Sequence, residues 1–145
     1  MFKFIAIILV SSFLQTGDWY TGKNGIAIEG FDLVSYFEGK PEIGSKEYST
    51  IYEGATFWFS SQNHLTSFQS NPDKYLPEYG GYCAFAIADY AEKVKIDPKT
   101  FKVTDGRLFL FYNFNLTNTL TPWIKNETAL IKKADKNWQA KFEKE

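Results

Sequence analysis

The chain has 145 residues with a formal net charge of -1, one histidine and one cysteine. That length fits a single domain with its own core, and the near-neutral balance supplies no basic surplus for nucleic acid or an anionic membrane. A lone cysteine excludes an intrachain disulfide and any multi-cysteine zinc site built from one copy.

The first segment reads as an export signal. Lys3 precedes an apolar stretch over residues 4–14, interrupted only by Ser11 and Ser12. Such a stretch is shorter than the about 20 residues that span a bilayer as a helix, and fits the core of a secretory signal. Residues 1–17 are therefore assigned to the signal and 18–145 to the mature domain. This predicts a periplasmic or secreted protein, in which an unpaired Cys83 needs burial, a metal or an intermolecular partner.

Along the mature chain, Ile26 and Ile28 suggest a short strand, and residues 31–37 a compact helical cluster ended by Gly39 and Pro41. Residues 48–52 and 55–59 read as paired strands around a Glu53-Gly54 turn, with Phe57 and Phe59 on one face and Trp58 on the other. Ser60 or Ser61 caps a helix carrying His64, Leu65 and Phe68, and Asn71-Pro72 opens another turn. Residues 82–88 form the most apolar piece and place Cys83 in the core. Residues 94–96 and 101–103 read as short strands, and Asp105-Gly106 turns into a central strand over 107–112. From Asn126 the period becomes helical, with Leu130, Ala134, Trp138 and Phe142 on one stripe. The expected fold is α+β: a small single domain of short antiparallel strands, short helices and a C-terminal helix, without internal repeats.

Two residues carry the chemistry in this reading. His64 supplies an imidazole for zinc or copper, and Cys83 follows a Gly80-Gly81 turn with a thiol suited to soft metals. Each also has a purely structural explanation, as a core-edge histidine and a buried small apolar residue. Asp32 reads as a buried carboxylate that accepts backbone N–H groups. Nucleotide binding is disfavoured by the lack of a glycine-rich phosphate loop, and no strand-turn nucleophile elbow precedes a histidine. The chain has 27 aromatic residues, enough for Tyr79, Tyr82 and Trp58 to line a cleft for a small apolar ligand or a peptide.

The pattern Gly30, Asp32, Tyr36-Phe37, Gly54, residues 57–61, Phe68, Asn71-Pro72, Lys74-Tyr75 and the YGGYCA run at 79–84 resembles the YHS domain family, in its exported bacterial branch. The resemblance extends roughly over residues 26–112, and the C-terminal helix is similar to the family's tryptophan-bearing tail. It implies a small α+β fold and, by likeness to metal-handling relatives, binding of copper or zinc. Those relatives carry three cysteines where this chain has Ser35, Ser60 and His64, and Cys83 belongs to the branch's GGYC motif. The function expected is a small exported domain, more binding protein than enzyme, taking a small ligand, a metal ion or a protein partner. Capture of copper by His64 and Cys83, thiol redox chemistry at Cys83, and a purely structural or interaction module are the readings left open.

Overall fold

A computed structural model describes residues 17–143 of the chain. The stretch read as an export signal, apart from Gly17, lies outside the described residues. Two short 3-10 turns, Gly22–Asn24 and Ala27–Gly30, lead into helix α1 (Leu33–Phe37). Strands β1 (Ser45–Tyr52) and β2 (Ala55–Phe59) follow, then α2 (Gln62–Ser70). Further 3-10 turns at Pro72–Lys74 and Glu78–Gly81 precede α3 (Ala84–Tyr90), β3 (Asp97–Thr104) and β4 (Arg107–Phe111). A small hairpin of β5 (Asn113–Phe114) and β6 (Thr117–Asn118) leads to α4 (Leu120–Lys125) and α5 (Glu127–Lys141). The architecture is α+β, and the described residues hold three separate antiparallel pairs, β1-β2, β3-β4 and β5-β6. Among the described residues no helix is long and apolar enough to cross a membrane.

Turn chemistry sets both long hairpins. Glu53 and Gly54 have φ of 44° and 82°, and Asp105 and Gly106 have 51° and 75°. Two successive positive φ values are those of a primed turn, whose twist matches that of the strands it joins.

The chain repeats itself in structure, contrary to the expectation from sequence. In the first half a 3-10 turn with two left-handed residues, Ile28 and Glu29, precedes α1 and the β1-β2 hairpin. In the second half a turn with left-handed Tyr79 and Gly80 precedes α3 and the β3-β4 hairpin. The pairing Ser45↔Phe59, an irregularity, then Ser49↔Trp58 to Tyr52↔Ala55 recurs as Asp97↔Phe111, an irregularity, then Phe101↔Leu110 to Thr104↔Arg107. The parallel bridge Ile26↔Thr56 recurs as Pro77↔Leu108. The Asp32 N–H donates to the Glu42 carbonyl at 2.8 Å, and the Cys83 N–H donates to Val94 at 3.0 Å. Little more than Gly30/Gly81, Gly54/Gly106, Phe57/Phe109 and Phe59/Phe111 is shared in residue type, so backbone geometry repeats while side-chain identity does not.

Strand β4 separates two packed regions. Leu108 and Leu110 face a cluster that includes Phe57, Phe59, Phe68, Tyr36 and Cys83. Phe109 and Phe111 face Tyr79, Ile87, Trp123, Leu130 and Ala134. Alternating side chains thus enter two cores, which explains the unbroken apolar run. The segment is doubly buried as its composition predicts, yet it belongs to a two-stranded ribbon and is not a central strand. Ile26 and Ile28 likewise form a bridge and a 3-10 turn in place of a strand, and residues 94–96 are irregular.

Candidate functional site

His64 is placed by the cap that its sequence announces. The Ser61 hydroxyl accepts the His64 N–H at 3.1 Å and starts α2. The ring then reaches back to α1. Its Nδ1 lies 2.6 Å from Asp32 Oδ2, and its Nε2 lies 3.1 Å from Glu38 Oε1. The imidazole is 18% exposed, whereas Asp32 is fully buried.

Asp32 is a hub for donors from α1, from α2 and from Ser60 in the link between β2 and α2. Its Oδ1 accepts the N–H groups of Val34 at 2.8 Å and Ser35 at 3.3 Å, which caps α1. Its Oδ2 accepts the Ser60 N–H at 2.9 Å, the Ser60 hydroxyl at 2.7 Å and His64 Nδ1. A carboxylate has acceptor sites for this many donors, so burial leaves none of its oxygens unpaired. The Ser60 hydroxyl points at Asp32, an arrangement that supports no serine nucleophile.

Partial burial disfavours the His64 cation, but hydrogen bonds and charge from Asp32, followed by those from Glu38, outweigh it and hold the pKa above 6.5. Because the folded pKa is raised, the interaction stabilises fully below about 6.5 and is lost as pH rises through the folded value. Proton NMR of this single imidazole should show a midpoint above 6.5, and His64→Gln should remove the corresponding decline in stability at alkaline pH. An unshifted midpoint would contradict the pairing.

Cys83 occupies the place in the second half that Asp32 occupies in the first. Its sulfur accepts the Tyr112 N–H at 3.4 Å, as Asp32 accepts the Ser60 N–H, and it sits 3.4 Å from Thr119 Oγ1. The residue is fully buried. The hydrogen-bonding shells of His64 and Cys83 share no residue, and among the described residues no group of three or more His, Cys, Asp or Glu side chains is arranged to hold a metal ion. Burial also denies Cys83 the access that thiol chemistry needs.

The three aromatic candidates lie in three places. Tyr79 lines a cleft of about 1260 Å³, packs on Phe109 and Trp138, and donates its hydroxyl to Asp135 at 2.8 Å. Burial, then the Asp135 bond and charge, raises its pKa far above the usual phenol. Tyr82 lines a separate cleft of about 610 Å³ beside Tyr20 and Phe114. Trp58 lies on the outer face of β2 against Gly30, where an added Cβ would come within 2.9 Å of the ring, and lines neither cleft.

Sequence reasoning missed the residues that organise the larger cleft. Arg107 binds Glu78 through Nε at 2.8 Å and Nη2 at 3.0 Å, and Asp135 through Nη2 at 2.7 Å and Nη1 at 3.2 Å. These bonds, to Glu78 first and Asp135 second, raise the guanidinium pKa further. The available signal was that Arg107 is the only arginine in the chain, at the start of a buried strand. Comparison with known proteins adds no relative: the chain matches no protein-family model, and neither a curated protein nor a solved structure matches it significantly.

Proposed function

We propose that the chain is an exported, non-catalytic YHS-like domain that captures a divalent metal ion, zinc or copper(II), at His64 with Glu38 as second ligand. The observation that supports it is the 2.6 Å contact between Asp32 and His64 Nδ1. A buried carboxylate on Nδ1 fixes that nitrogen as the N–H donor and turns the Nε2 lone pair outward, an orientation common among metal-bound histidines. Nε2 faces Glu38 Oε1 at 3.1 Å, a separation suited to two ligands of one ion at bond lengths of about 2.0–2.2 Å. A nitrogen and an oxygen donor favour zinc or copper(II) over copper(I), which prefers sulfur. Two protein ligands leave the remaining positions to water or to an acceptor protein, which suits exchange of the ion more than permanent storage. Cys83 has no part in this site.

Titration of the reduced full chain with Zn(II), Cu(II) and Cu(I) tests the assignment. His64→Ala and Glu38→Gln should each weaken Zn(II) or Cu(II) binding by about tenfold or more, with Cys83→Ser unchanged. Binding should also weaken as pH falls, because the metal must displace the Nε2 proton. Affinity that survives His64→Ala but is lost in Cys83→Ser would overturn the proposal in favour of the thiol.

A further inference from the structure

Independently of the His64 site, we propose that the tip of the β5-β6 hairpin docks the protein on an anionic lipid surface, with Leu116 as the inserted side chain. Leu116 strains its own turn, and no packing offsets that strain.

All three hairpins among the described residues turn through two residues with positive φ. In the two long ones the second of these is glycine, Gly54 and Gly106, which takes the conformation without strain. In the third the pair is Asn115 and Leu116, with φ of 51° and 64°. Asparagine tolerates this conformation, whereas a bulky leucine is an outlier there. Ile28 is held in such a conformation by complete burial. Leu116 has no such support, because it is fully exposed at the apex. A strained apolar side chain presented to water points to a use outside the fold.

The surroundings select the partner. Asn115, Thr117 and Asn118 are exposed and uncharged, so no charge at the apex resists entry among headgroups. Behind the apex, the Lys95 ammonium lies 4.5 Å from the ring centre of Phe114. At the base of the hairpin the Leu120 N–H donates to Asn118 at 3.0 Å and starts α4, whose end exposes Ile124 and Lys125. Lys95 and Lys125 form no salt bridge among the described residues. Residues 106–126 contain no Asp or Glu. Glu29 is the carboxylate of the cleft beside Phe114, where Lys23 and Lys95 outnumber it and the Tyr20 hydroxyl donates to it at 3.3 Å. The near-neutral balance of the whole chain thus conceals a local surface of positive sign. An apical leucine with cations set behind it matches a bilayer: the tip reaches the acyl boundary while the lysines meet anionic headgroups. A specific protein interface draws on a broad packed patch, which a narrow convex tip does not supply.

Flotation with vesicles of phosphatidylglycerol and phosphatidylcholine provides the test, on the chain collected after export so that residues 1–17 are as the cell leaves them. Saturable binding is expected, weaker with phosphatidylcholine alone and weakened by salt. Leu116→Asn should reduce the affinity about tenfold, and Lys95→Gln about fivefold. Leu116→Phe keeps an apolar apex and should keep the binding, and His64→Ala should leave it intact. Because asparagine suits the turn, Leu116→Asn should melt at or above the wild-type temperature. Absence of binding to the anionic vesicles, equal affinity for phosphatidylcholine alone, or wild-type affinity in Leu116→Asn would each overturn the proposal. A lower melting temperature in Leu116→Asn would do so as well, by assigning the leucine to the fold.

Discussion

Replacing Asp32 with alanine is expected to lower the stability of the domain by about 3–5 kcal/mol. Three losses combine at this side chain. The first turn of α1 loses the acceptor for the Val34 and Ser35 N–H groups, a cap of about 0.5–2 kcal/mol. The Ser60 N–H and hydroxyl lose their shared acceptor at the end of β2. The His64 ring loses the carboxylate that favours its charged form. Water does not readily replace these partners, because Asp32 is fully buried. Urea unfolding at pH 6 measures the loss. Asp32→Asn keeps the volume and one acceptor oxygen, and should lose roughly half as much. A change below about 1 kcal/mol in Asp32→Ala would show that α1, α2 and β2 are held together by other contacts.

Trp123→Ala is the second large effect, again about 3–5 kcal/mol, and it acts on the other packed region. Trp123 is fully buried, with ring centres 5.2 Å from Phe109 and 5.3 Å from Phe111. Its truncation opens a cavity between β4 and α5 that these rings fill only in part. The indole N–H also donates to Glu127 Oε2 at 2.9 Å, while Lys102 and Thr104 hold Oε1 at 2.7 and 3.1 Å. Burial pushes the Glu127 pKa up, but these three side chains outweigh it and hold it below 4.5. Its contribution is therefore present above about 4.5 and lost as pH falls through the folded value. Trp123→Phe restores most of the volume without the N–H, so comparing the two substitutions by thermal unfolding separates packing from the hydrogen bond. Equal losses in both would assign the whole effect to Glu127.

Local chemistry made the hairpins and the last helix legible. Glu53-Gly54 and Asp105-Gly106 declare their turns, the serine before His64 declares the cap, and the Leu130–Ala134 stripe declares the buried face of α5. The turns at Ala27–Gly30 and Glu78–Gly81 were hidden for a physical reason. Ile28, Glu29 and Tyr79 take left-handed conformations, which a β-branched or bulky residue adopts only when its surroundings impose them. Ile28 is fully buried, and its Cδ1 fills the space where a side chain on Gly81 would project, so the packing of one half fixes the turn of the other. The repeat stayed hidden because it lives in φ values and strand register, to which residue identity is only loosely tied.

The candidate site was legible in part. His64 and a buried Asp32 were both visible as residues worth watching, but 32 positions separate them, and only the fold brings α2 onto α1. Glu38 showed no sign of facing the imidazole. The same limit hid the larger cleft, whose wall is drawn from the beginning, middle and end of the described chain.

The equivalence of Asp32 and Cys83 gives each half of the chain its own reporter of opening. The only histidine senses the first joint through Asp32, and the only cysteine is itself the second joint, closed over by the Tyr112 N–H and the Thr119 hydroxyl. Thiol labelling therefore counts excursions of the second half, while the imidazole resonance follows the first. Their rates, compared under native conditions, reveal whether the halves breathe as one cooperative unit or as two.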